Sequence, residues 1–435
     1  MRTTLLVASL ISISAPAVAV AADTSQQAVQ GVLPQITAWR RDFHEHPELS
    51  NREVRTSKIV ADTLTKLGYD VRTGIAHTGV TGILNGGKPG PKLAIRADMD
   101  ALPVTEQVDL PFASKAKGEY QGKRVGVMHA CGHDAHIAMT LGIAKILAQR
   151  RKDLPGEVML IFQPAEEGAP AGEEGGASLM VKQGVFTDFK PDAVFGMHVV
   201  SAMPVGTVGI RPGGMMASSD TFRIVVHGRQ SHGAMPWKGI DPIVTAAEIV
   251  TSAQTIVSRQ LDINRDPAVV TFGVFNGGVR FNIVPDSAEL QGTIRAFDPD
   301  MRQQALTSLG TIAKHIAAAN GASVDAEIPM PGSNPVNFND PKLTTRVRKS
   351  IETAIGADHV IEAQRWTASE DFPYFGLGAK APSVYFFVGA TPKDRDPATA
   401  PSNHSPHFFL DEGALSIGAE AMLQASLDFL GYIPS

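Results

Sequence analysis

The segment Met128–Ala138, MHACGHDAHIA, holds three histidines, an aspartate and the only cysteine of the chain. Cys131 and His133 stand two residues apart, closer than the C-x2–4-C of a zinc knuckle, and there is no second cysteine. A loop of this spacing can still turn a thiolate and an imidazole onto one metal ion. A small buried cysteine with surface histidines beside it is the competing reading. A second constellation, FQPAEEG, sets Glu166 and Glu167 directly after the apolar run EVMLIF. Adjacent carboxylates repel unless a cation lies near. The pair therefore reads either as a solvated loop or as a division of labour, one carboxylate binding metal and the other activating water as a general base. His198 ends an apolar run in FGMHVV, and His404 sits in the loop SNHSPHF. Each is as readily structural as ligating when taken alone.

The elements that must position these residues follow from apolar spacing and turn residues. KLAIRAD, EVMLIFQ, DAVFGMHVV and SVYFFVG read as buried strands, and HIAMTLGIAKILAQRR as a helix that opens just after the cysteine cluster. A Gly-rich loop, GKRVGVMHA, precedes it. Strands alternating with helices predict an α/β/α sandwich on a mainly parallel sheet. The rhythm changes near Gly213 to strand–helix–strand–strand–helix–strand, the split βαβ pattern of a small ferredoxin-like α+β unit. The expected organisation is a catalytic domain over residues 23–212 and 329–435, interrupted by a satellite domain at 213–328. Cys131, His133, Glu167, His198 and His404 then all fall at or just beyond strand ends of one domain, where α/β sheets collect their ligands. Together they are a thiolate, imidazole and carboxylate set suited to Zn2+, with Mn2+, Co2+ or Ni2+ as alternatives. Five ligands, one of them bridging, are enough for two ions.

Bulk properties narrow the function. The chain of 435 residues has 43% hydrophobic and 19% charged residues, as globular proteins do, and a formal net charge of −5. With no basic run, nucleic acid is not an expected partner. The first 22 residues, MRTTLLVASLISISAPAVAVAA, run from a positive charge through an apolar stretch broken by Pro16 to small residues fitting A-x-A cleavage. They predict a signal peptide cleaved near Ala21 or Ala22, an exported protein in the periplasm or outside the cell, and no membrane span in the mature chain. In an oxidising compartment a lone thiol must be buried or bound.

RDFHEHPELS, LAIRADMDALPV, MHACGHDAH, FQPAEEG, FGMHVV, FNIVPDSAELQGTIRAFD, SEDFPYF and NHSPHF occur in an order that resembles one metallo-amidohydrolase family. It is the group of hippurate hydrolase, bacterial N-acyl-amino-acid amidohydrolases and plant auxin–amino-acid conjugate hydrolases, within the aminoacylase and carboxypeptidase clan. The resemblance covers essentially the whole mature chain. It implies an enzyme with two divalent ions held by Cys131, His133, Glu167, His198 and His404, and with Glu166 as general base. The clan's His-x-Asp motif stands here as Arg96-Ala97-Asp98. A histidine ligand is thus replaced by Arg96, Cys131 becomes the compensating, bridging ligand, and Asp98 orients a ligand from behind. His44 and His46 read as structural, and His129, Asp134 and His136 as supporting residues.

In the satellite domain, GRQSHGAMPWKGIDP resembles the stretch where the clan carries a histidine that reaches an active site, often the partner subunit's. That residue is His232, an expected oxyanion donor; a histidine capping the next helix is the alternative. Ser231, Gly233 and Trp237 depart from the group's usual Gly-Gly-His-Ala-Ala-x-Pro-His. Asn282 and Arg295 match positions for the substrate carboxylate or carbonyl, an Arg being suited to a bidentate carboxylate; a structural ion pair is the other reading for Arg295. The implied reaction is hydrolysis of N-acyl amino acids by a homodimer joined through the satellite domain. A carboxypeptidase or dipeptidase is the nearest rival, and a non-catalytic solute-binding protein the rival from another class.

Overall fold

The computed structural model describes residues 24–433, so the expected signal segment lies outside the described residues. Helix α1 (Ser25–Glu45) opens with a capping box between Thr24 and Gln27 and buries Val29, Val32, Ile36 and Phe43 along one stripe. After α2 (Val54–Lys66) come strands β1 (Asp70–Ile75), β2 (Gly79–Asn85) and β3 (Lys88–Asp98). Helix α3 (His133–Gln149) is followed by β4 (Pro155–Gln163), β5 (Ala193–Pro204) and β6 (Val208–Ile210). The stretch read as a Gly-rich loop instead forms part of a hairpin, Lys117–Tyr120 paired with Lys123–Gly126, which turns at Gln121-Gly122, both at positive φ.

The chain then builds a second sheet. Strand β7 (Asp220–His227), α4 (Pro242–Thr255), β8 (Ala268–Gly277), β9 (Ser287–Ala296), α5 (Pro299–Ala319) and β10 (Ser323–Glu327) give an antiparallel sheet in the order β8-β9-β7-β10. Phe222, Ile224, Leu290 and Ile294 bury one face of it against Ile249 and Leu309 of the two helices. Helix α6 (Pro341–Ile355), β11 (Val360–Glu362), β12 (Ser383–Thr391) and α7 (Gly413–Leu430) complete the first unit.

The large sheet has the order β1-β2-β4-β3-β5-β12-β6-β11, with β4, β3, β5 and β12 mutually parallel at its centre. Helices α1, α3 and α7 cover one face, and the segment around Ala177–Phe189 with Phe372 and Phe375 covers the other. This is the expected α/β sandwich with a satellite α+β unit. Register sets the site: Arg96 pairs with Gly196, Asp98 with Gln163, and Phe387 with His198. The carboxyl ends of β3 and β4 thus reach the level of His198, the end of an α/β sheet where ligands bind. Among the described residues no helix is long and apolar enough to cross a membrane.

Candidate metal centre

Helix α3 begins at His133, three residues earlier than periodicity suggests, because Gly132 turns the chain at φ +90° and caps it. A Cβ there would stand 2.3 Å from a Val199 methyl, so glycine is required by space as well as by φ. The turn presents Cys131 and His133 together. Cys131 Sγ lies 3.3 Å from His198 Nε2 and 3.2 Å from His404 Nε2. Glu167 Oε1 stands 3.1 Å from His404 Nε2 and 4.0 Å from His133 Nε2. Donor atoms of Cys131, His133 and His198, of Cys131, Glu167 and His404, and of His133, Glu166 and Glu167 each fall within 4.8 Å of one another.

The hydrogen bonds fix which histidine nitrogens face this cluster. His133 Nδ1 donates to the carbonyl of Asp100 at 2.8 Å, and His198 Nδ1 to its neighbour Val199 at 2.7 Å. A carbonyl only accepts, so Nδ1 carries the proton and each ring turns Nε2 toward the cluster, which in the neutral ring is the ligand form of imidazole. His136, in the same motif, is used up: Nδ1 donates to Asp98 at 2.6 Å and Nε2 accepts from the Val199 amide at 2.9 Å. His44 bonds Asp134 and Glu106, and Asp134 also meets Arg40 at 3.0 Å, a buried network behind the motif. His129 is buried with neither nitrogen partnered, and burial lowers it to about 4, which keeps it neutral.

His404 adopts φ +72°, held by its amide bond to Ala130 O at 2.8 Å. Asn403 beside it donates to Cys131 O and Val199 O and accepts from Ser201 N, joining three segments of the site. Asp98 bonds His136 and Arg96 and stands 3.6 Å from His133 Nε2; the group that orients His133 from behind is the Asp100 carbonyl. Arg96 is fully buried and donates to Gln163, Asp98, Glu370 and Asp371. It serves as the counter-charge beneath the site.

Burial and neighbouring carboxylates set the charge states around the cluster. Burial, then Glu167 and Glu166, hold the Cys131 thiol well above its usual range. Burial, then Glu370 and Glu167, push Glu166 up. Burial opposes a charged His133, yet Asp98 and Asp100 outweigh it and raise it to about 10. Asp371 is pushed up to about 8, by burial first, against the pull of Arg96. Burial is the first cause at Cys131, Glu166 and Asp371, whereas in the same cluster the histidines hold Asp98 and Asp100 low against burial, and burial holds His198 well below its usual range. His133 Nε2 and Glu167 Oε1 are moreover buried without a hydrogen-bond partner; the 3.1 Å approach of His404 to Glu167 is not aligned for one. Orphaned buried donor atoms in a thiolate, imidazole and carboxylate set fit borderline divalent ions.

A chamber of about 170 Å³ opens on Cys131, Glu166, Glu167, His198 and His404, walled by Met216 and Trp366. It adjoins an outer cleft of about 820 Å³ through Glu166, Glu167, Ala368, Ser369 and His404. His232, Asn282 and Arg295 do not line either space. His232 is exposed in the satellite unit and accepts from the Ala234 amide, while Arg295 donates to Ser218 O. Sequence reasoning passed over Ser50, Glu53, Asp100 and Asn403. Glu53, Asp100 and Asn403 act on backbone groups, which a residue string does not display, and Ser50 acts through Asp100; the second aspartate of RADMD was the one visible signal.

Residues 94–428 match the peptidase family M20/M25/M40. Thermostable carboxypeptidase 1 of Saccharolobus solfataricus is 41% identical over 391 residues, 90% of this chain and 94% of that protein. An IAA-amino acid hydrolase of Arabidopsis thaliana is 38% identical over 390 residues, 89% of this chain and 83% of that one. The crystal structure of a Bacillus subtilis protein described as a dinuclear metal binding peptidase from the M20 family aligns with a TM-score of 0.73 and 34% identity, covering 93% of this chain and all of that one.

Proposed function

Since the chain belongs to the peptidase family M20/M25/M40, and so is a metal-dependent hydrolase of amide bonds, we propose that it cleaves N-acyl amino acids to a carboxylic acid and a free amino acid. The observation that carries this reading is Cys131 Sγ set between His198 and His404, with Glu166 and Glu167 beside them on one cleft. Cys131, His133, Glu167, His198 and His404 would hold two divalent ions, Zn2+ or Mn2+ first and Co2+ or Ni2+ as alternatives. Bound there, the ions polarise the acyl carbonyl and acidify water. Glu166, half-buried and free of ion pairing, takes the proton of the attacking water and returns it to the leaving amine.

His232 is the proposed oxyanion donor, reaching the site of a second copy, with Asn282 and Arg295 holding the substrate. Support comes from the apolar surface beside His232: Trp237 is 74% exposed, Phe281 96% and Val279 100%. Such a patch suits self-association through the satellite unit into a homodimer. The first 22 residues support export. Sedimentation of the full chain, and cell fractionation of its host, test these two points.

A carboxypeptidase acting on short peptides is the second reading, favoured by the name of the Saccharolobus relative. One assay separates the readings: chelator-stripped enzyme reloaded with each metal and given hippurate-like N-acyl amino acids or unblocked dipeptides. Metal-restored turnover of the acyl compounds is expected. Cleavage of dipeptides alone would move the protein to the second reading, and metal binding with no amide cleavage would make it a solute-binding protein.

A further inference from the structure

The segment that carries the proposed general base has no regular structure of its own. Ala165 stands at φ +52° and Gly168 at φ +108°, and Glu166 and Glu167 lie between them, directly after β4. Their amides must therefore find acceptors outside any helix or ladder. Both find the same one. Glu166 N donates to Asp100 Oδ1 at 3.1 Å, and Glu167 N to Asp100 Oδ2 at 3.1 Å. Asp100 is buried at the end of β3, and Ser50 Oγ donates to its Oδ2 at 2.7 Å. The backbone of Asp100 meanwhile accepts from His133 Nδ1. One residue thus hydrogen-bonds to the base, a ligand and a second ligand from behind.

We propose that Asp100 is a positioning residue for the reaction, a two-amide clamp that fixes Glu166, Glu167 and His133 as one rigid unit. This rests on the reading of Glu166 as base and of Glu167 and His133 as ligands. A carboxylate is required because two N–H donors converge on it from adjacent residues, and each of its oxygens serves one. In Asp100→Asn the amide nitrogen faces an N–H, so one of the two peptides loses its acceptor and turns. Outer groups that orient metal ligands are worth about 10- to 100-fold in metal affinity, and misplacing a reacting group costs about as much in rate.

The test measures metal and turnover separately in the full chain. Zn2+ affinity is read by competition with a chromophoric chelator, kcat and KM at saturating metal, and folding by circular dichroism and thermal melting. Asp100→Asn is expected to stay folded, to bind Zn2+ about 10- to 100-fold more weakly, and to lose about 10-fold or more in kcat with KM little changed. A merely structural role would lower the melting temperature and leave the affinity and kcat of folded protein at wild-type values; that result overturns the proposal. So does a fall in kcat with Zn2+ affinity unchanged, because the clamp joins base and ligands. If Asp100→Asn fails to fold, Ser50→Ala decides: weaker Zn2+ binding together with lower kcat supports the clamp, and wild-type values for both overturn it. The Zn2+ arm needs no substrate, so it fails or succeeds independently of the proposed reaction.

Discussion

Cys131 Sγ and His404 Nε2 lie 3.2 Å apart although 273 residues separate them in the chain. The contact spans the interrupting satellite unit, and the His404 amide donating to Ala130 O and the Asn403 side chain donating to Cys131 O hold it in place. A thiol 6% exposed, raised by burial and by two glutamates, is a poor nucleophile until a cation draws off its proton. Two expectations follow for Cys131. Cobalt-loaded wild type should show a thiolate-to-metal charge-transfer band that Cys131→Ser lacks. In stripped protein, iodoacetamide should label Cys131 far more slowly at pH 7 than in the unfolded chain. A spectrum unchanged by the substitution would remove the thiolate from the coordination sphere.

Glu166→Gln keeps the backbone amide that Asp100 holds and removes only the base. Metal content should match wild type while kcat falls by about 100- to 10,000-fold, the range of a lost general base. Metal analysis and steady-state kinetics on one preparation check both halves. Wild-type turnover would hand the proton to another group.

Much of this site was legible before any coordinates. The apolar runs before Asp98 and Glu166-Glu167 do end strands at or just short of those residues, and ends of one parallel sheet converge; His198, expected at a strand end, instead lies within β5 (Ala193–Pro204). What the string hides is which of two similar side chains is already engaged. His133 and His136 belong to one motif and one helix turn. They are separated only by hydrogen bonds: a carbonyl on one ring nitrogen of His133, against partners on both nitrogens of His136. The roles of Asp100 and Asn403 were hidden for the same reason, since their partners are mostly peptide groups. Arg96 stood out only through the resemblance, and its four buried acceptors, which the string does not display, make it a counter-charge.

Those acceptors make Arg96 irreplaceable by a smaller cation. Its Nε, Nη1 and Nη2 serve Gln163, Asp98, Glu370 and Asp371 in a fixed fork, all in the interior. Lysine offers one point charge and cannot reach them all. Arg96→Lys, and more so Arg96→Ala, should destabilise the fold by about 3–5 kcal/mol, the cost of leaving buried carboxylates unpaired. Denaturant melts measure it, and adding Glu370→Gln to Arg96→Ala should recover part of the loss. Additive losses in the double variant would show that Arg96 and Glu370 act independently.

Glu53 gives the pH signature. It is fully buried, accepts from the Ala165 amide at 3.0 Å and shares a hydrogen bond with Thr78. Burial, reinforced by the Asp100 charge, pushes it up to about 8 from an ordinary 4.5. The unfolded chain releases this proton near pH 4.5 and the folded chain only near 8, so between them the folded state binds more protons. Its contribution to stability is complete below 4.5 and is lost as pH rises through 8. Glutamine keeps an acceptor for Ala165 and cannot ionise. In chelator, Glu53→Gln and wild type should therefore melt alike below pH 4.5, diverge steadily as pH rises from there to about 8, and keep a constant separation above it. By pH 9 the variant should be the more stable, by a margin on the order of a few kcal/mol. Melting curves taken across that range decide it. Parallel curves would mean that Glu53 is already ionised in the folded protein, and that the amide of Ala165 is held by a charge.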